Sequence, residues 1–316
     1  MKAGRIHIDG TMKYFRFDEQ GVRRIVLTGR KKYAPWDPQF KDLPLGDEVP
    51  KDAVLAPPVP VSEIVCVGLN YRLHADECGV DWTKFSYPTF FGRATTSLNN
   101  PNGHVVVPGP YVFRDKPLEG GLVQWDYEVE LALVIGRACY KVSVGDALQY
   151  VAGYMVANDL SERIRQLKAC SQWLSGKCLP TGFPLGPNFV SSDEVGDPQK
   201  LNLRLWVNGE ERQNSTTADM IFSVAECISA LSQTRVLQPG LVISTGTPSG
   251  VVTKMDPAKI VHPWLKPGDK MELTIGNDTV DLGRQTQLCV EEDPGWLKFF
   301  ATGRLNRGKQ YHSPAA

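Results

Sequence analysis

Hydrophobic side chains recur at every second position along one short segment of the chain. Tyr127, Val129, Leu131, Leu133 and Ile135 alternate with other residues, and this period is typical of a β-strand with one apolar face. Residues two apart on a strand point to the same side. The residues between these apolar positions therefore share the opposite face of the predicted strand.

Two carboxylates occupy that opposite face. Glu128 and Glu130 are followed on it by Ala132 and Val134, so we expect them at the edge of a core, roughly 7 Å apart at the backbone. Like charges at this separation repel unless a cation lies between them, and a divalent metal ion is the simplest remedy. The alternative is an edge strand with a solvated outer face, which is the commoner explanation of an isolated Glu-x-Glu pair.

A second apolar strand ends on a carboxylate. The pattern predicts a strand over 151–159, ending at Asp159, and a helix over 161–174. Asp159 is either a third ligand or the N-terminal cap of that helix. Three carboxylates with no convergent His or Cys would form an all-oxygen site, which suits Mg²⁺, Mn²⁺ or Ca²⁺ rather than Zn²⁺ or Cu²⁺.

The remaining pattern predicts a mainly β chain with few helices. Short strands in the first thirty residues precede a proline-rich stretch, 34–60, with little room for regular structure. We therefore predict a small β-rich N-terminal domain with linker over 1–61, a larger β-dominated domain over 62–302 and a loose tail over 303–316. Asn208 and Gly209 predict a type I′ hairpin turn. Further strands are predicted at 64–67, 104–107, 201–207, 241–245 and 270–275, and further helices near 73–78, 144–150 and 218–231.

Composition narrows the range of partners. The 316 residues contain 35 Lys and Arg and 35 Asp and Glu, so the net charge does not favour nucleic acid or a membrane surface. No apolar run approaches the ~20 residues of a membrane span, and the N-terminus lacks the apolar stretch of a secretory signal. The seven cysteines are scattered and odd in number, which predicts reduced core residues in a cytoplasmic protein.

Motifs of several common enzyme classes are absent from the sequence. There is no Gly-x-Gly-x-x-Gly, no His-Glu-x-x-His and no Gly-x-Ser-x-Gly, and the segment around Lys177 lacks both the upstream Gly and the Ser or Thr of a phosphate loop. Nucleotide use, zinc proteolysis and ordinary serine hydrolysis are therefore not expected.

A series of short motifs runs through roughly residues 62–290. They are VGLNYRLHADE from Val67, YEVEL from Tyr127, GY at Gly153, NDLS from Asn158, GK at Gly176, PLGP from Pro184, VNGE from Val207 and TGTPSG from Thr245. In this order the motifs resemble the fumarylacetoacetate hydrolase family. The resemblance implies that 62–302 is a β-roll catalytic domain, that the protein is a homodimer, and that Mg²⁺ or Mn²⁺, with Ca²⁺ as an alternative, binds Glu128, Glu130 and Asp159.

His74 is the candidate base. Glu77 follows it at i+3, so one helical turn would place both side chains on one face, and a carboxylate-held His is a general-base arrangement. An arbitrary His-x-x-Glu is more often a surface helix with a chance acid. The resemblance implies instead that this pair activates water and lies on a mobile lid, which we place at 71–86.

Lys177 and three further residues are candidates for contact with the substrate. The resemblance implies that Lys177 reaches a substrate oxygen, where it could stabilise an oxyanion or enolate; the alternative is an exposed lysine after a helix. Arg163 and Gln166 share a helical face and could bind a carboxylate or simply face solvent. Thr247 lies in a Gly-rich turn and offers hydroxyl and backbone donors.

Asn70 and Tyr71 are expected to line the pocket, and Arg93 replaces a Lys that many members of the family carry. Two other departures are Pro180, where many members have Asp, and Ile164, where many have an acid. An Arg presents a planar fork rather than a point charge. The departures therefore point to an unusual substrate, with Arg93 among its expected ligands.

The favoured function is metal-dependent hydrolysis of a carbon–carbon bond in a 1,3-diketone or acylpyruvate-like keto acid. In this prediction the metal stabilises the enolate while His74, oriented by Glu77, activates water. The same core could instead run decarboxylation, isomerisation or hydration of a related 2-oxo acid. A non-catalytic, metal-dependent small-molecule binder is the alternative from another class, and the intact His74–Glu77 pair speaks against it.

Overall fold

The computed structural model describes residues 1–29, 31–169, 173–254 and 264–292, so the predicted tail and the end of the predicted catalytic domain lie outside the described residues. The described residues are mainly strand with few helices, as predicted. The strands are β1 (Lys2–Ile8), β2 (Thr11–Phe17), β3 (Arg23–Val26), β4 (Leu45–Glu48), β5 (Val54–Ala56), β6 (Glu63–Gly68), β7 (Thr89–Arg93), β8 (Leu98–Asn99), β9 (Val105–Val107), β10 (Val112–Phe113), β11 (Lys116–Pro117), β12 (Trp125–Asp126), β13 (Val129–Ile135), β14 (Val151–Asn158), β15 (Ser161–Glu162), β16 (Phe183–Pro184), β17 (Phe189–Ser191), β18 (Asn202–Val207), β19 (Glu210–Thr216), β20 (Leu241–Ser244), β21 (Lys270–Gly276) and β22 (Asp281–Glu291).

The helices are short and lie between the strands. Among the described residues, none is long and apolar enough to cross a membrane. The α-helices are α1 (Arg72–Glu77), α2 (Leu174–Lys177), α3 (Ser192–Val195) and α4 (Val224–Thr234), a π-helical turn spans Arg165–Ala169, and 3₁₀ turns span Phe40–Asp42, Trp82–Lys84, Thr95–Ser97, Val144–Tyr150, Thr217–Asp219 and Val252–Lys254.

Two sheets carry most of the described strands. The larger has eleven strands within the described ranges, in the order β4-β3-β2-β1-β17-β14-β13-β20-β6-β7, with β5 paired to β1. The smaller has the order β19-β18-β21-β22-β9. Strand β13 is antiparallel to both of its neighbours, β14 and β20, and β20 runs parallel to β6. The predicted acidic strand is thus an interior strand of the larger sheet.

Both faces of β13 are buried. Its odd-numbered side chains, such as Leu131 and Leu133, pack in one hydrophobic cluster, whereas Ala132 and Val134 pack in another. An interior strand with a core on each side has no solvent-facing surface, so the alternation at 127–135 correctly predicts the strand but not an exposed face. Any charged side chain on the even-numbered face consequently needs a partner within the fold.

The N-terminal strands continue the large sheet. Strand β1 pairs with β17 in antiparallel register, with Lys2 opposite Val190. The predicted early strands are confirmed, but the expectation of little regular structure in 34–60 is wrong, because β4 and β5 form there. Prolines 44, 50 and 57 flank these strands rather than interrupt them. The domain boundary near residue 61 stays a prediction.

The helix predicted over 161–174 is confirmed only in part: its first two residues are a strand, 163–169 are helical, and 170–172 lie outside the described residues. Residues 161–162 form β15, which pairs with β12, and helical structure follows only afterwards, with α2 beginning at Leu174. The carboxylate of Glu162 accepts the backbone N–H groups of Gln124, at 2.8 Å, and of Arg165, also at 2.8 Å. Glu162 therefore connects the start of the helical turn to the segment that enters β12. The pairing of β12 with β15 outweighs the helical sequence pattern at 161–162.

Of two other predicted helices, one begins later than expected and the other has the predicted bounds but is 3₁₀. The helix expected over 218–231 begins at Val224, where Ser223 and Glu226 form a reciprocal capping box. The segment 144–150 is a 3₁₀ turn. In contrast, the hairpin at Asn208 and Gly209 is confirmed, since both residues have the positive φ, 52° and 83°, that a type I′ turn requires.

Strand β22 was not predicted, because polar residues interrupt its apolar pattern. Gln285 and Gln287 are fully buried and, with Asn158, form a chain of side-chain amides. Gln287 donates to Gln285 at 2.7 Å, Asn158 donates to Gln287 at 3.3 Å, and Asn158 in turn accepts the backbone N–H of Glu128 at 3.0 Å. This amide chain connects the smaller sheet to the start of the acidic strand.

Candidate metal and catalytic site

Strand register brings the three predicted acidic ligands together. In the pairing of β13 with β14, Val129 lies opposite Asn158, so Glu128 and Asp159 are adjacent, and the Asp159 N–H donates to the Glu128 carbonyl at 2.9 Å. One carboxylate oxygen from each of Glu128, Glu130 and Asp159 lies within 4.8 Å of the others, and all three residues are buried. The interpretation of Glu128 and Glu130 as a solvated edge pair is therefore not supported.

Glu130 is held by the turn that follows β20. Its Oε2 atom accepts the hydroxyl of Ser244 at 2.5 Å and the N–H of Gly246 at 3.0 Å. Burial, followed by the nearby charges of Asp159 and Glu128, raises the pKa of this carboxyl well above its usual range. Burial and neighbouring negative charges disfavour the ionised form of Glu130, and a cation bound nearby would stabilise that form.

Lys177 lies among the carboxylates rather than in solvent. Its Nζ atom is 2.6 Å from Glu128 Oε2 and 2.6 Å from Asp159 Oδ2. Burial alone would lower the pKa of this ammonium, but Asp159 and Glu128 outweigh it and raise the pKa. Burial also disfavours ionised Glu128, yet Lys177 and Arg163 together lower the pKa of Glu128 to about 2. Lys177 is thus a fixed positive charge beside two of the candidate ligands.

The donor set fits a hard divalent cation. All three converging groups are carboxylates, and within the described ranges no His or Cys joins the cluster. Oxygen ligands of this kind are preferred by Mg²⁺, Mn²⁺ and Ca²⁺ over softer metals. The residues present therefore fit the metal class expected from the sequence.

Arg163 connects the carboxylates to the predicted substrate side of the site. Its guanidinium donates to Glu128 Oε1 at 2.7 Å, to Asp126 Oδ2 at 2.8 Å and to Gln166 Oε1 at 2.8 Å. Asp126 was missed in the sequence, although it extends the same two-residue spacing as Glu128 and Glu130. It also accepts the N–H of Val252 at 2.9 Å, so it anchors both Arg163 and a loop at the cavity.

The predicted base pair forms on α1. His74 Nδ1 lies 2.6 Å from Glu77 Oε1, and the other oxygen of Glu77 accepts the N–H of Gly250 at 3.1 Å. Burial lowers the pKa of His74, but the neighbouring Cys78 thiol and Glu77 carboxylate outweigh it and raise the pKa to about 9. A proton on Nδ1 that is held by Glu77 leaves Nε2 as the nitrogen able to accept another.

A cavity of about 260 Å³ joins these groups. His74, the three candidate ligands and Lys177 all line it, together with Arg163, Gln166 and Thr247. Its other walls are largely apolar, formed by Val67, Leu69, Val80, Phe91, Leu167 and Trp173. The cavity is therefore charged at one wall and apolar at others, which suits a small acid with a nonpolar part.

Trp173 and Gly68 shape one apolar wall together. A Cβ atom on Gly68 would lie 2.5 Å from the Trp173 ring, so the ring occupies space that any other residue would fill. Trp173 also packs edge-on against Phe91, with ring centroids 5.1 Å apart. Neither aromatic residue was predicted as part of the site, because a cavity wall leaves no motif of its own in the sequence.

Thr247 lines the cavity, whereas Asn70 and Tyr71 are not among its lining residues in the described chain. The Thr247 hydroxyl donates to the Val129 carbonyl at 3.1 Å and accepts from Gln213 at 2.9 Å. Asn70 donates to the carbonyls of Phe222, at 3.0 Å, and Thr245, at 2.9 Å. The structure thus places Asn70 as a brace between the start of α1 and the turn after β20, and Tyr71 in the core beside it.

Arg93 lies behind Asp159. Its guanidinium donates to Asp159 Oδ1 and to the carbonyls of Leu160 and Gly182, and Arg93 is not among the described residues that line the cavity. The structure therefore brings it to a candidate metal ligand rather than to the predicted substrate space. Of the other two departures, Ile164 is buried and Pro180 is exposed.

Comparison with known proteins agrees with the motifs. The model of the fumarylacetoacetate (FAA) hydrolase C-terminal family matches residues 63–289. A 2,4-didehydro-3-deoxy-L-rhamnonate hydrolase from Sphingomonas sp. strain SKA58 is 42% identical over 290 residues, which cover 92% of this chain and 92% of that protein.

Solved structures of similar proteins include a hydrolase and an isomerase. A 5-carboxymethyl-2-hydroxymuconate delta-isomerase from Mycobacterium smegmatis has a TM-score of 0.71 at 28% identity, covering 93% of this chain and 100% of that one. A fumarylpyruvate hydrolase from Pseudomonas aeruginosa, in complex with Mn²⁺ and pyruvate, has a TM-score of 0.60 at 29% identity, covering 77% of this chain and 93% of that one. The chain belongs to the fumarylacetoacetate hydrolase family.

Proposed function

We propose that this member of the family is a metal-dependent hydrolase that cleaves a carbon–carbon bond in a 2,4-dioxo acid. The observation that carries the proposal is the single cavity lined by both the His74 imidazole and the carboxylates of Glu128, Glu130 and Asp159. Adding water to a carbonyl requires a base that activates the water and an electrophile that polarises the carbonyl. His74 would be the base, and a cation held by the carboxylates would be the electrophile.

The relative from Sphingomonas supports the substrate class. Its name describes a 3-deoxy acid with carbonyl groups at C2 and C4, which is a 1,3-diketone next to a carboxylate. The similarity to that protein extends over nearly the whole length of both chains, so it includes the N-terminal strands as well as the cavity. We infer a substrate of the same general type here, with a carboxylate, two carbonyls and a small acyl end.

Positive charge at the carboxylate wall would assist the departure of the enolate. A divalent cation held by Glu128, Glu130 and Asp159 would polarise the substrate carbonyl oxygens and offset the charge of the leaving enolate. The Lys177 ammonium lines the same wall and can donate to an oxygen on which negative charge develops. Arg163 lines the same cavity, and we propose that its guanidinium binds the carboxylate of the substrate.

The His74–Glu77 pair would supply the nucleophile. Nε2 of His74 takes a proton from water, and the resulting hydroxide adds to the C4 carbonyl. The C3–C4 bond then breaks, its electron pair moves onto C3 as an enolate, and C3 receives a proton. Water is thereby divided between a carboxylic acid from the acyl end and pyruvate from C1 to C3.

The raised pKa of His74 bears on this step. At neutral pH a pKa of about 9 leaves the imidazole protonated, and a protonated imidazole cannot accept a proton. The charge of Glu128 contributes to that raised pKa, so a dication on the carboxylates would oppose the imidazolium and lower the pKa. We therefore propose that metal loading converts His74 into a base.

A substrate panel tests the proposal. Acylpyruvates with small acyl groups, a 3-deoxy-2,4-dioxo sugar acid and oxaloacetate are incubated with the protein and Mg²⁺ or Mn²⁺, and loss of enol absorbance is followed. We expect pyruvate and a carboxylic acid in equal amounts, and no turnover with chelator. Release of CO₂ from oxaloacetate without cleavage of any dioxo acid would establish decarboxylation instead, and a rearranged product of unchanged mass would establish isomerisation.

A further inference from the structure

The Arg93 guanidinium has every donor in use inside the protein. Nε donates to Ser97 Oγ at 3.0 Å, Nη1 donates to Asp159 Oδ1 and to the Leu160 carbonyl, and Nη2 donates to the Leu160 and Gly182 carbonyls. Its side chain has no exposed surface. A planar fork with five satisfied donors is fixed in orientation and cannot be replaced atom for atom by the single ammonium of a lysine.

Arg93 and Lys177 divide the two oxygens of Asp159 between them. Arg93 contacts Oδ1, whereas Lys177 Nζ lies 2.6 Å from Oδ2. Lys177 also lies 2.6 Å from Glu128 Oε2, so the Oδ2 side is the side that faces the other candidate ligands. Oδ1 is bound by a buried guanidinium that does not line the cavity, whereas the Lys177 ammonium on Oδ2 does line it, so Oδ2 is the oxygen that can be shared with a cation in the cavity.

The backbone at Gly182 is built to admit this guanidinium. A Cβ atom on Gly182 would lie 2.6 Å from Arg93 Nη2, and the φ of this glycine is not in the left-handed region. Its lack of a side chain therefore serves the close approach of Arg93. The neighbouring Phe183 ring lies beneath the guanidinium, with its centroid 5.0 Å from Cζ, so the position of Arg93 is set from two directions.

We propose that Arg93 is a positioning residue that restricts Asp159 to a single metal-binding oxygen and thereby makes the site favour Mg²⁺ and Mn²⁺ over Ca²⁺. Ca²⁺ takes six to eight oxygens and commonly accepts both oxygens of a carboxylate, whereas Mg²⁺ needs fewer ligands at shorter, near-octahedral positions. A carboxylate that can offer only Oδ2 suits the smaller ion. The inference rests on the metal site of the proposed function.

Calorimetry of the two ions on the same protein tests the inference. Dissociation constants of Mn²⁺ and Ca²⁺ are measured for the parent protein and for Arg93→Met, and the readout is their ratio. Loss of a positive charge strengthens binding of both dications alike, so it cancels in the ratio. We expect the preference for Mn²⁺ to fall by about tenfold, within the range that changes around a metal ligand produce.

Three other variants keep the test decisive. Gly182→Ala retains the arginine but forces its guanidinium to move, and we expect the preference for Mn²⁺ over Ca²⁺ to fall in this variant too. This variant can be measured even if Arg93→Met does not fold. Arg93→Lys restores a charged donor without the fork, and we expect an intermediate ratio. Gly145→Ala, where the added Cβ has no atom closer than 3.9 Å, is the matched control and should leave the ratio unchanged.

The outcomes separate this inference from the function it builds on. If the ratio stays within about twofold of the parent in both Arg93→Met and Gly182→Ala, the positioning role is wrong although the metal site stands. An equal loss of affinity for both ions would mean that Arg93 supports the site without selecting the ion, which also contradicts the proposal. If the parent protein binds neither ion, the metal site of the proposed function fails instead.

Discussion

The two sides of the cavity are built in different ways. The carboxylate side comes from β13, β14 and the residues that adjoin them, in the interior of the large sheet, where Glu130 and Asp159 are held by hydrogen bonds or ion pairs to fixed partners. The base side comes from α1, which has six residues. Helix α1 is tied to neighbouring segments by few polar contacts, such as Leu73 N–H to Asp219 at 3.1 Å.

This difference separates cation binding from water activation. Side chains on core strands keep their positions because a shift would disturb packing on both faces. A short helix on the surface of the core opens at lower free energy. We therefore expect changes on the sheet to weaken both cation binding and folding stability, and changes on α1 to lower turnover without weakening cation binding.

Removal of a strand carboxylate should have the largest effect. In Glu128→Ala or Asp159→Ala we expect Mn²⁺ affinity to fall by more than about a hundredfold, beyond the usual effect of changes around a ligand, and turnover to be lost. Titration calorimetry measures the affinity. Glu63→Ala, which removes an exposed carboxylate paired with Arg235, should bind the ion like the parent. Unchanged affinity in both site variants would refute the ligand assignment.

Removal of the base should spare the metal. His74→Ala is expected to lose about 10²–10⁴-fold in turnover without losing Mn²⁺ affinity, which should rise at neutral pH because the imidazolium that opposes the cation is gone. Glu77→Gln should lose less, because the imidazole survives with a weaker partner. Stopped assays with a confirmed dioxo acid, alongside calorimetry, measure both quantities. Hydrolysis at the parent rate in His74→Ala would show that another group activates water.

The protonation of His74 should depend on the metal. In the metal-free protein we expect its imidazole to titrate with a pKa of about 9, and added Mg²⁺ should lower that value. Nuclear magnetic resonance of the His74 ring measures both. Glu77→Gln should lower the metal-free value as well, because the carboxylate that favours the protonated form is lost. A pKa that is the same with and without Mg²⁺ would remove the proposed link between loading and catalysis.

The same shift predicts a pH dependence of stability. A histidine whose pKa is raised on folding stabilises the protein fully below its unfolded pKa of about 6.5. That contribution disappears as pH rises through about 9. In chelator, the difference in unfolding free energy between the parent and His74→Gln should therefore shrink between these values, as urea titrations would show. A constant difference would place the raised pKa in doubt.

The smallest expected difference is one of mobility. Amide hydrogens of 71–86 should exchange faster than those of β13 in the ligand-free protein, and they should slow when a substrate analogue binds. Exchange followed by mass spectrometry measures both segments in one experiment. Slow exchange across 71–86 that does not respond to ligand would mean that α1 is part of the rigid frame and is not a lid.

The sequence predicted what depends on local period and missed what depends on pairing across the fold. The alternation at 127–135 located β13, and the motif around His74 located α1, because both signals lie within a few residues. Asp126 and Glu162 act through β12 and β15, which pair with each other across the chain. That pairing replaced the first two residues of a predicted helix with a strand, and helical structure begins after them.

Partner identity was the other limit of prediction. Arg93 was singled out as a departure from the family's pattern, but its contacts with Asp159 and Gly182 span 66 and 89 residues of sequence. The charge and residue type of Arg93 indicated a role at the site. They did not indicate that its guanidinium would bind the Asp159 oxygen that faces away from the cavity. Trp173 was placed in a predicted helix, and its position at the cavity depends on the missing side chain of Gly68 and on packing against Phe91.

The amide chain of Asn158, Gln285 and Gln287 has a consequence for how the chain reaches its native state. A slip of β22 by one residue would turn the two glutamines outward and bring Arg284 and Thr286 into the core. Arg284 would then carry its charge into a nonpolar interior, and Asn158 would lose the partner on its amide nitrogen. Such a misaligned chain is strongly disfavoured. The buried amides of β22 therefore select one strand register during folding, and this register fixes the position of the Glu128 backbone.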